Sequence, residues 1–306
     1  MTPEISVSNS EIQTFQQCKR RWWLGYYRKL RPLTTTVVGP LALGSRVHAA
    51  LEAHYAGGAD LLVAYDKLLS ADMINADDAG TDLAALASEG ELGRIMLEGF
   101  LDWSAEEGLD ADYDIVGVEE ILTMPMLNGQ AELKGKIDLR VRDKRDGTHL
   151  VRDWKTTAQA GTFTKWAHLN PQLLTYQTLD FMNTPEERRI AGSQVVLLRK
   201  VKRGPRAKPP FYELADVRHN VFTLRSFWSR LQGTLSDMLR VKRALDAGDD
   251  HRNVAYPTPT RDCSWICPFF TVCPMFDDGS GAEDFISDMF TVGNPYDYYN
   301  ETQAEA

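Results

Sequence analysis

The spacing of hydrophobic positions changes twice along the chain. From residue 9 to about residue 107, apolar side chains recur every three or four positions, as on helices with one buried face. Ser8-Asn9-Ser10-Glu11 reads as a capping box. The helix it opens is expected to run to about Leu30, with Ile12, Phe15, Trp22 and Tyr26 among its apolar positions. A second helix is predicted over Leu41–Tyr55, which puts Gly44, His48 and Glu52 on one face. Residues 60–107 continue as helix in acidic, Ala-rich sequence.

The period then drops to two. Ile115–Met124, Glu132–Arg142 and Thr148–Trp154 predict three strands, with turns at Asn128-Gly129 and Asp146-Gly147. Helix returns over Trp166–Met182, and Gln194–Val201 is a strongly apolar strand. Residues 202–210 form a basic, Pro-rich loop across which Phe211–Val217 can close a hairpin. Phe222–Ala247 has the pattern of a long amphipathic helix. This order indicates an α/β fold, a mixed central β-sheet flanked by helices. No repeat or low-complexity linker interrupts it. Residues 1–276 are therefore expected to form one domain: a helical part (1–110), a core (111–220), and a helix plus cysteine-bearing segment (221–276). Residues 277–306 read as an acidic tail.

Composition narrows the function. The chain has 306 residues, 43% hydrophobic and 25% charged, with a net charge of −9. No apolar run approaches the roughly 18–20 residues of a membrane helix. The N-terminus lacks a basic region and an apolar core, so it is no signal peptide, and a reducing cytoplasm is the expected location. The acidic balance argues mildly against nucleic acid as a partner. The charge is uneven, however. Residues 19–31 hold Lys19, Arg20, Arg21, Arg28, Lys29 and Arg31 without an acid. Residues 199–208 hold Arg199, Lys200, Lys202, Arg203, Arg206 and Lys208 without one. Such patches decide partner choice more than the sum does.

The chemistry centres on Gly135-Lys136-Ile137-Asp138 and Asp153-Trp154-Lys155. Adjacent antiparallel strands can bring the two aspartates side by side, and Lys155, two residues on, points to the same face as Asp153. Two carboxylates suit Mg²⁺ or Mn²⁺, and a lysine beside them can position or deprotonate a water or stabilise a negative transition state. That set suits phosphodiester hydrolysis. Glu119 and Glu120, one strand earlier, are weaker candidates. Gly129 to Lys136 only echoes a phosphate-binding loop: five residues separate the glycines, and no Ser or Thr follows the lysine. No motor is present, so a helicase or recombinase partner would be another chain.

Gly135-x-x-Asp138, Asp153-x-Lys155 and Gln172-x-x-x-Tyr176 together resemble the PD-(D/E)XK nuclease superfamily, specifically its RecB-like branch, as does the upstream Gly44-x-x-x-His48. The resemblance implies a restriction-endonuclease-like core. By it, His48, Asp138 and Asp153 bind Mg²⁺ or Mn²⁺, with the Trp154 carbonyl as a further ligand. Lys155 would serve the water, and Gln172 and Tyr176 would contact nucleic acid. Lys200, Lys202, Arg203 and Arg206, on a loop between two strands, are further candidates for the nucleic-acid backbone.

Cys263, Cys267 and Cys273 fall within eleven residues, far from Cys18. Thiols in this number bind zinc or an iron–sulfur cluster. One early cysteine and a late triplet resemble the iron–sulfur nucleases of the same branch, the CRISPR-associated four-cysteine exonucleases and AddB-type nuclease domains. That resemblance implies a [4Fe–4S] cluster joining the N- and C-terminal segments. Three residues, not the two usual there, separate Cys263 from Cys267, which keeps zinc as the alternative. Trp22, Trp23, Tyr26 and Tyr27 follow a basic run and could stack on bases, or could form the core that seats the cluster. The whole implies a DNA exonuclease acting on single-stranded DNA or free ends in recombination, repair or replication. A non-catalytic nucleic-acid-binding module and an iron–sulfur electron-transfer protein are the other readings.

Overall fold

The computed structural model describes residues 2–34, 37–78 and 82–297. In chain order the elements are β1 (Ile5–Ser8), α1 (Asn9–Gln17), α2 (Lys19–Trp22) continuing into a π-helical turn (Trp23–Tyr27), β2 (Leu30–Pro32), α3 (Pro40–Gly57), α4 (Leu61–Asp78) and α5 (Leu83–Glu106). Then follow β3 (Tyr113–Met126), β4 (Ala131–Asp143), β5 (His149–Thr157), α6 (Ala160–Trp166), α7 (Pro171–Asn183), β6 (Ile190–Arg199) and β7 (Tyr212–Val217). The chain ends with α8 (Val221–Asp246), the short α9 (His251–Val254), α10 (Cys263–Ile266) and α11 (Met275–Asp278), then α12 (Ala282–Met289) and β8 (Phe290–Val292). Residues 277–292 are thus not a bare acidic tail, and residues 298–306 of that expected tail lie outside the described residues.

The expected first helix is broken. Cys18 is extended (φ −160°, ψ 112°), ending α1 and opening α2, although no Gly or Pro marks the place. Half of the capping box forms: Ser8 Oγ accepts from the Glu11 N–H at 3.3 Å. Glu11 does not reach back to the cap. It is buried and accepts from Trp22 Nε1 at 2.8 Å and from the Tyr296 hydroxyl.

The residues fall into two compact units, and the chain passes between them within β3 and β4. The first comprises 1–35, 123–135 and 222–306. In it β1 pairs parallel with the start of β4, Ile5 opposite Ala131, and β2 pairs antiparallel with β8, Leu30 opposite Val292. Buried Arg20 makes a two-pronged ion pair to Asp277 (2.6 and 3.0 Å), and Trp23 stacks on His251 with centroids 4.2 Å apart. Early and late segments of this unit are therefore tied by side chains and a strand pair.

The second unit comprises 36–122 and 136–221 and holds most of the sheet. The order there is β3–β4–β5–β6–β7; β4–β5 and β6–β7 are antiparallel, and β5–β6 is parallel. The helical segment α6–α7 makes the crossover that parallel neighbours require. In β6, Val196 and Leu198 pack with Leu43, Val47, Leu51 and Phe100 of α3 and α5. Val195 and Leu197 pack with Leu173 and Tyr176 of α7. That strand is apolar throughout because both its faces are covered. The mixed α/β sheet flanked by helices is the fold the pattern predicts.

Candidate active site

All the carboxylate, lysine and imidazole candidates lie in the second unit. In β4 and β5 the antiparallel ladder ends at Leu139 opposite Arg152; Asp138 and Asp153 are the next residue of each strand, and the Asp138 charge acts on the Asp153 carboxyl. Lys155, two residues further on β5, turns to Asp153: its Nζ lies 2.9 Å from Oδ2 and 3.1 Å from Oδ1. Asp153 is fully buried, whereas Lys155 keeps 27% of its side chain exposed, so the pair reaches solvent through the lysine.

Helix α3 brings the imidazole. A Cβ on Gly44 would sit 3.2 Å from Thr156 Oγ1 of β5, so glycine allows the helix this close approach. One turn later His48 places Nδ1 3.5 Å from Asp138 Oδ2. Helix α7 starts at Pro171 behind an Asn170 cap that accepts from the Gln172 N–H at 2.9 Å. That start aims Gln172 at the site, where Nε2 donates to Asp153 Oδ1 at 3.3 Å and to the Tyr176 hydroxyl at 2.6 Å. Tyr176 is buried, so the pair expected to contact nucleic acid turns polar atoms on Asp153 and on each other.

The two carboxylates are unlike electrically. Burial pushes Asp153 up from 3.8 to about 6; Lys155 opposes the rise and Asp138 adds to it. Burial acts the same way on Asp138, but His48, Lys155 and the Trp154 N–H outweigh it and hold the carboxyl below its ordinary value. On Lys155 burial favours the neutral amine, yet Asp153 and Asp138 raise it above its ordinary value.

The oxygen inventory bears on a metal. Oδ2 of Asp138 and Oδ2 of Asp153 are both buried, and each faces a basic side chain: His48 Nδ1 lies 3.5 Å from the first and Lys155 Nζ 2.9 Å from the second. Carboxylate oxygens are the hard donors that Mg²⁺ and Mn²⁺ accept. The donor chemistry fits such a cation. Among the described residues, however, no three His, Cys, Asp or Glu side chains are gathered into a ligand group. The positive charge beside each carboxylate comes from the protein itself, from Lys155 and, when protonated, His48.

The PD-(D/E)XK nuclease superfamily model matches residues 6–274, a span holding every one of these side chains. The chain belongs to this superfamily. Among solved structures, a protein from Eubacterium rectale provisionally assigned as an exonuclease shares 13% identity, covers 78% of this chain over 81% of its own, and superposes with a TM-score of 0.50. That likeness speaks for the fold. The protein SSO0001 shares 15% identity over 75% of this chain and 82% of its own at a TM-score of 0.32, too low to carry an argument. No curated protein matches. A PD-(D/E)XK nuclease takes nucleic acid as its substrate class, and among the described residues no helix is long and apolar enough to cross a membrane.

Around this nuclease core the remaining candidates are placed as follows. Glu119, at φ +53°, pairs with Lys136, and Glu120 pairs with Arg140 at 2.7 Å, so neither faces the aspartates as a ligand. Arg140, which sequence reasoning passed over, is buried and also bonds Asp180 of α7 at 2.6 Å. It fixes α7 to β4 two residues from Asp138; a charge inside Leu139-Arg140-Val141 was the available signal. The basic loop is largely engaged. Lys202 reaches Glu91 (2.9 Å) and Ser88, and Arg203 stacks 3.8 Å over Phe211 and donates to Tyr212. Lys200 is half-buried, which lowers its pKa against the pull of Glu89, while Arg206 is exposed.

All four cysteines are unpaired and lie in the first unit. Cys18 Sγ accepts from the Thr258 N–H at 3.4 Å, and Cys263 Sγ from the Thr260 N–H at 3.3 Å. Burial pushes the Cys267 and Cys273 thiols up. Cys18 adds to the rise in both, as does Cys263 at Cys267 and Cys267 at Cys273. Cys267 is thus within electrostatic reach of Cys18, Cys263 and Cys273. Trp22 and Trp23 are buried, so the core alternative holds for them.

Proposed function

We propose that this chain is a divalent-metal-dependent deoxyribonuclease, acting as an exonuclease on single-stranded DNA or on free ends. The observation that carries it is the pair of neighbouring carboxylates, Asp138 and the fully buried Asp153, flanked by His48 3.5 Å from Asp138 and by Lys155 2.9 Å from Asp153. Asp138, Asp153 and His48 would hold Mg²⁺ or Mn²⁺, with the Trp154 carbonyl adjoining. A cation there polarises a phosphate and makes water a stronger nucleophile. Gln172 holds Oδ1 of Asp153 and Lys155 lies on Oδ2, so a cation there would share that carboxylate with the lysine. Lys155, charged and partly exposed, neutralises charge building on the phosphoryl oxygens and orients the attacking water. Family membership, rather than composition, favours nucleic acid despite a net charge of −9.

We also assign Cys18, Cys263, Cys267 and Cys273 to one metal centre, a [4Fe–4S] cluster with zinc as the alternative. Supporting this, the Thr258 and Thr260 N–H groups donate to the Cys18 and Cys263 sulfurs, as backbone amides do to ligating sulfur. The centre is structural in this reading, and a helicase or recombinase would act from a separate chain.

Single-stranded DNA labelled at either end, incubated with Mn²⁺, tests the activity. Wild type is expected to shorten it progressively from one end, and Lys155→Ala to lose at least about a hundredfold in rate. A wild-type protein that leaves DNA intact with Mn²⁺ and with Mg²⁺ overturns the enzyme reading.

A further inference from the structure

The aromatics that the first unit exposes are not those of the N-terminal helix. Trp265 is 87% exposed, Phe270 52% and Tyr256 47%, all close in sequence to the last three cysteines. Their backbone is held in short hydrogen-bonded turns: Trp265 N–H bonds the Asp262 carbonyl at 3.0 Å, and Phe270 N–H the Cys267 carbonyl at 3.2 Å. The Tyr256 ring is fixed by Lys19, whose Nζ lies 4.9 Å from its centroid and 3.4 Å from its hydroxyl. Large rings on fixed turns in water mark a surface that meets something apolar and flat.

The charge beside them selects the partner. Lys19 lies on Tyr256, Arg21 is close enough to Cys267 to oppose the rise in that thiol's pKa, and Arg261 precedes the Cys263–Ile266 turn. Neither Arg21 nor Arg261 is paired with a carboxylate among the described residues. In a chain of net charge −9, these are cations placed beside exposed rings, with Asp262 the carboxylate between Arg261 and Trp265. A nucleic-acid duplex hides its base faces, whereas a single strand offers bases for stacking and phosphates for the cations.

We propose that Trp265, Phe270 and Tyr256, with Lys19, Arg21 and Arg261, form a docking surface for single-stranded nucleic acid. The proposal rests on the nuclease reading for its ligand class and adds a binding surface built wholly in the first unit. Bases stack on the three rings, and the backbone lies against the three cations. Trp265 supplies the largest face and gives up little ordering entropy, because its turn is already fixed.

The test is anisotropy of a dye-labelled oligothymidylate with the full chain in EDTA, which separates binding from cleavage. Trp265→Leu combined with Phe270→Leu is expected to weaken binding roughly tenfold or more, since each stacked base is lost. Trp265→Phe, which keeps a ring, retains most of the affinity, and a blunt duplex of equal length binds all variants alike. A double-leucine variant that binds like wild type overturns the proposal. So does a variant whose sedimentation shows altered self-association with unchanged oligonucleotide binding, which assigns the surface to a second copy of the chain. Cleavage with Mn²⁺ separates the two readings. Active wild type with unaltered leucine-variant binding sinks only the docking surface, whereas inactive wild type with leucine-sensitive binding sinks only the nuclease.

Discussion

At the residue scale the site turns on two neighbouring aspartates whose carboxyls are shifted in opposite directions. A carboxylate must lose its proton to take a cation, so in the proposed metal site Asp153, raised to about 6, would gate binding. With limiting Mn²⁺, cleavage is therefore expected to rise from pH 5 to pH 7, and a pH–rate profile at several metal concentrations measures it. Saturating metal shifts the midpoint downward; a flat profile would remove Asp153 from the ligand set. The linkage sign follows from the same shift. A carboxyl raised in the folded state stabilises it below the ordinary value of 3.8, and that contribution is lost as pH climbs through about 6. Melting of the metal-free protein should show Mn²⁺ raising Tm more at pH 7 than at pH 5. The aspartates and Lys155 were legible from strand order and period, and His48 from the Gly44-x-x-x-His48 motif of the family. The inward role of Gln172 and Tyr176 was not, because it depends on how α7 lies against β5, which no local pattern encodes.

At the element scale, two glycines on helices make opposite predictions. On Gly93 of α5 an added methyl would meet the Tyr65 hydroxyl at 2.0 Å and Leu43 at 2.9 Å. Tyr65 is fully buried and cannot swing away, so Gly93→Ala should destabilise by about 1–3 kcal/mol in urea unfolding. On Gly233 of α8 the methyl meets nothing within 4 Å, so Gly233→Ala should stabilise by about 0.5–1 kcal/mol. Long elements with a steady period were readable: the four core strands, α3 and α8 fall within a few residues of expectation. The three-residue strands β2 and β8 were not, because each exists only through the other, some 260 residues away. The extended break at Cys18 was equally hidden, since Gln17-Cys18-Lys19 contains no local breaker and the bond to Thr258 is long-range.

At the scale of the whole molecule, the first unit gathers all four thiols from opposite ends of the chain. Anaerobically purified protein should be brown and contain iron, and Cys18→Ser should bleach it and lower the melting temperature of the first unit's tryptophans; a colourless zinc protein would refute the iron assignment. The threading of that unit has a consequence for how the polypeptide is made. Every segment of the second unit has been synthesised by residue 221, whereas the first unit waits for the last stretch of translation. Until Phe290–Val292 emerges, Leu30–Pro32 lacks its pairing edge, and until His251 and Phe276 emerge, Trp23 lacks the rings it packs on. The nascent chain therefore carries an early hydrophobic segment through most of its time on the ribosome, the natural ground for chaperone engagement. A ribosome that stops between residues 221 and 251 would release a product with the second unit complete and both Trp23 and Leu30–Pro32 without their late partners, marked for proteolysis rather than for work on nucleic acid.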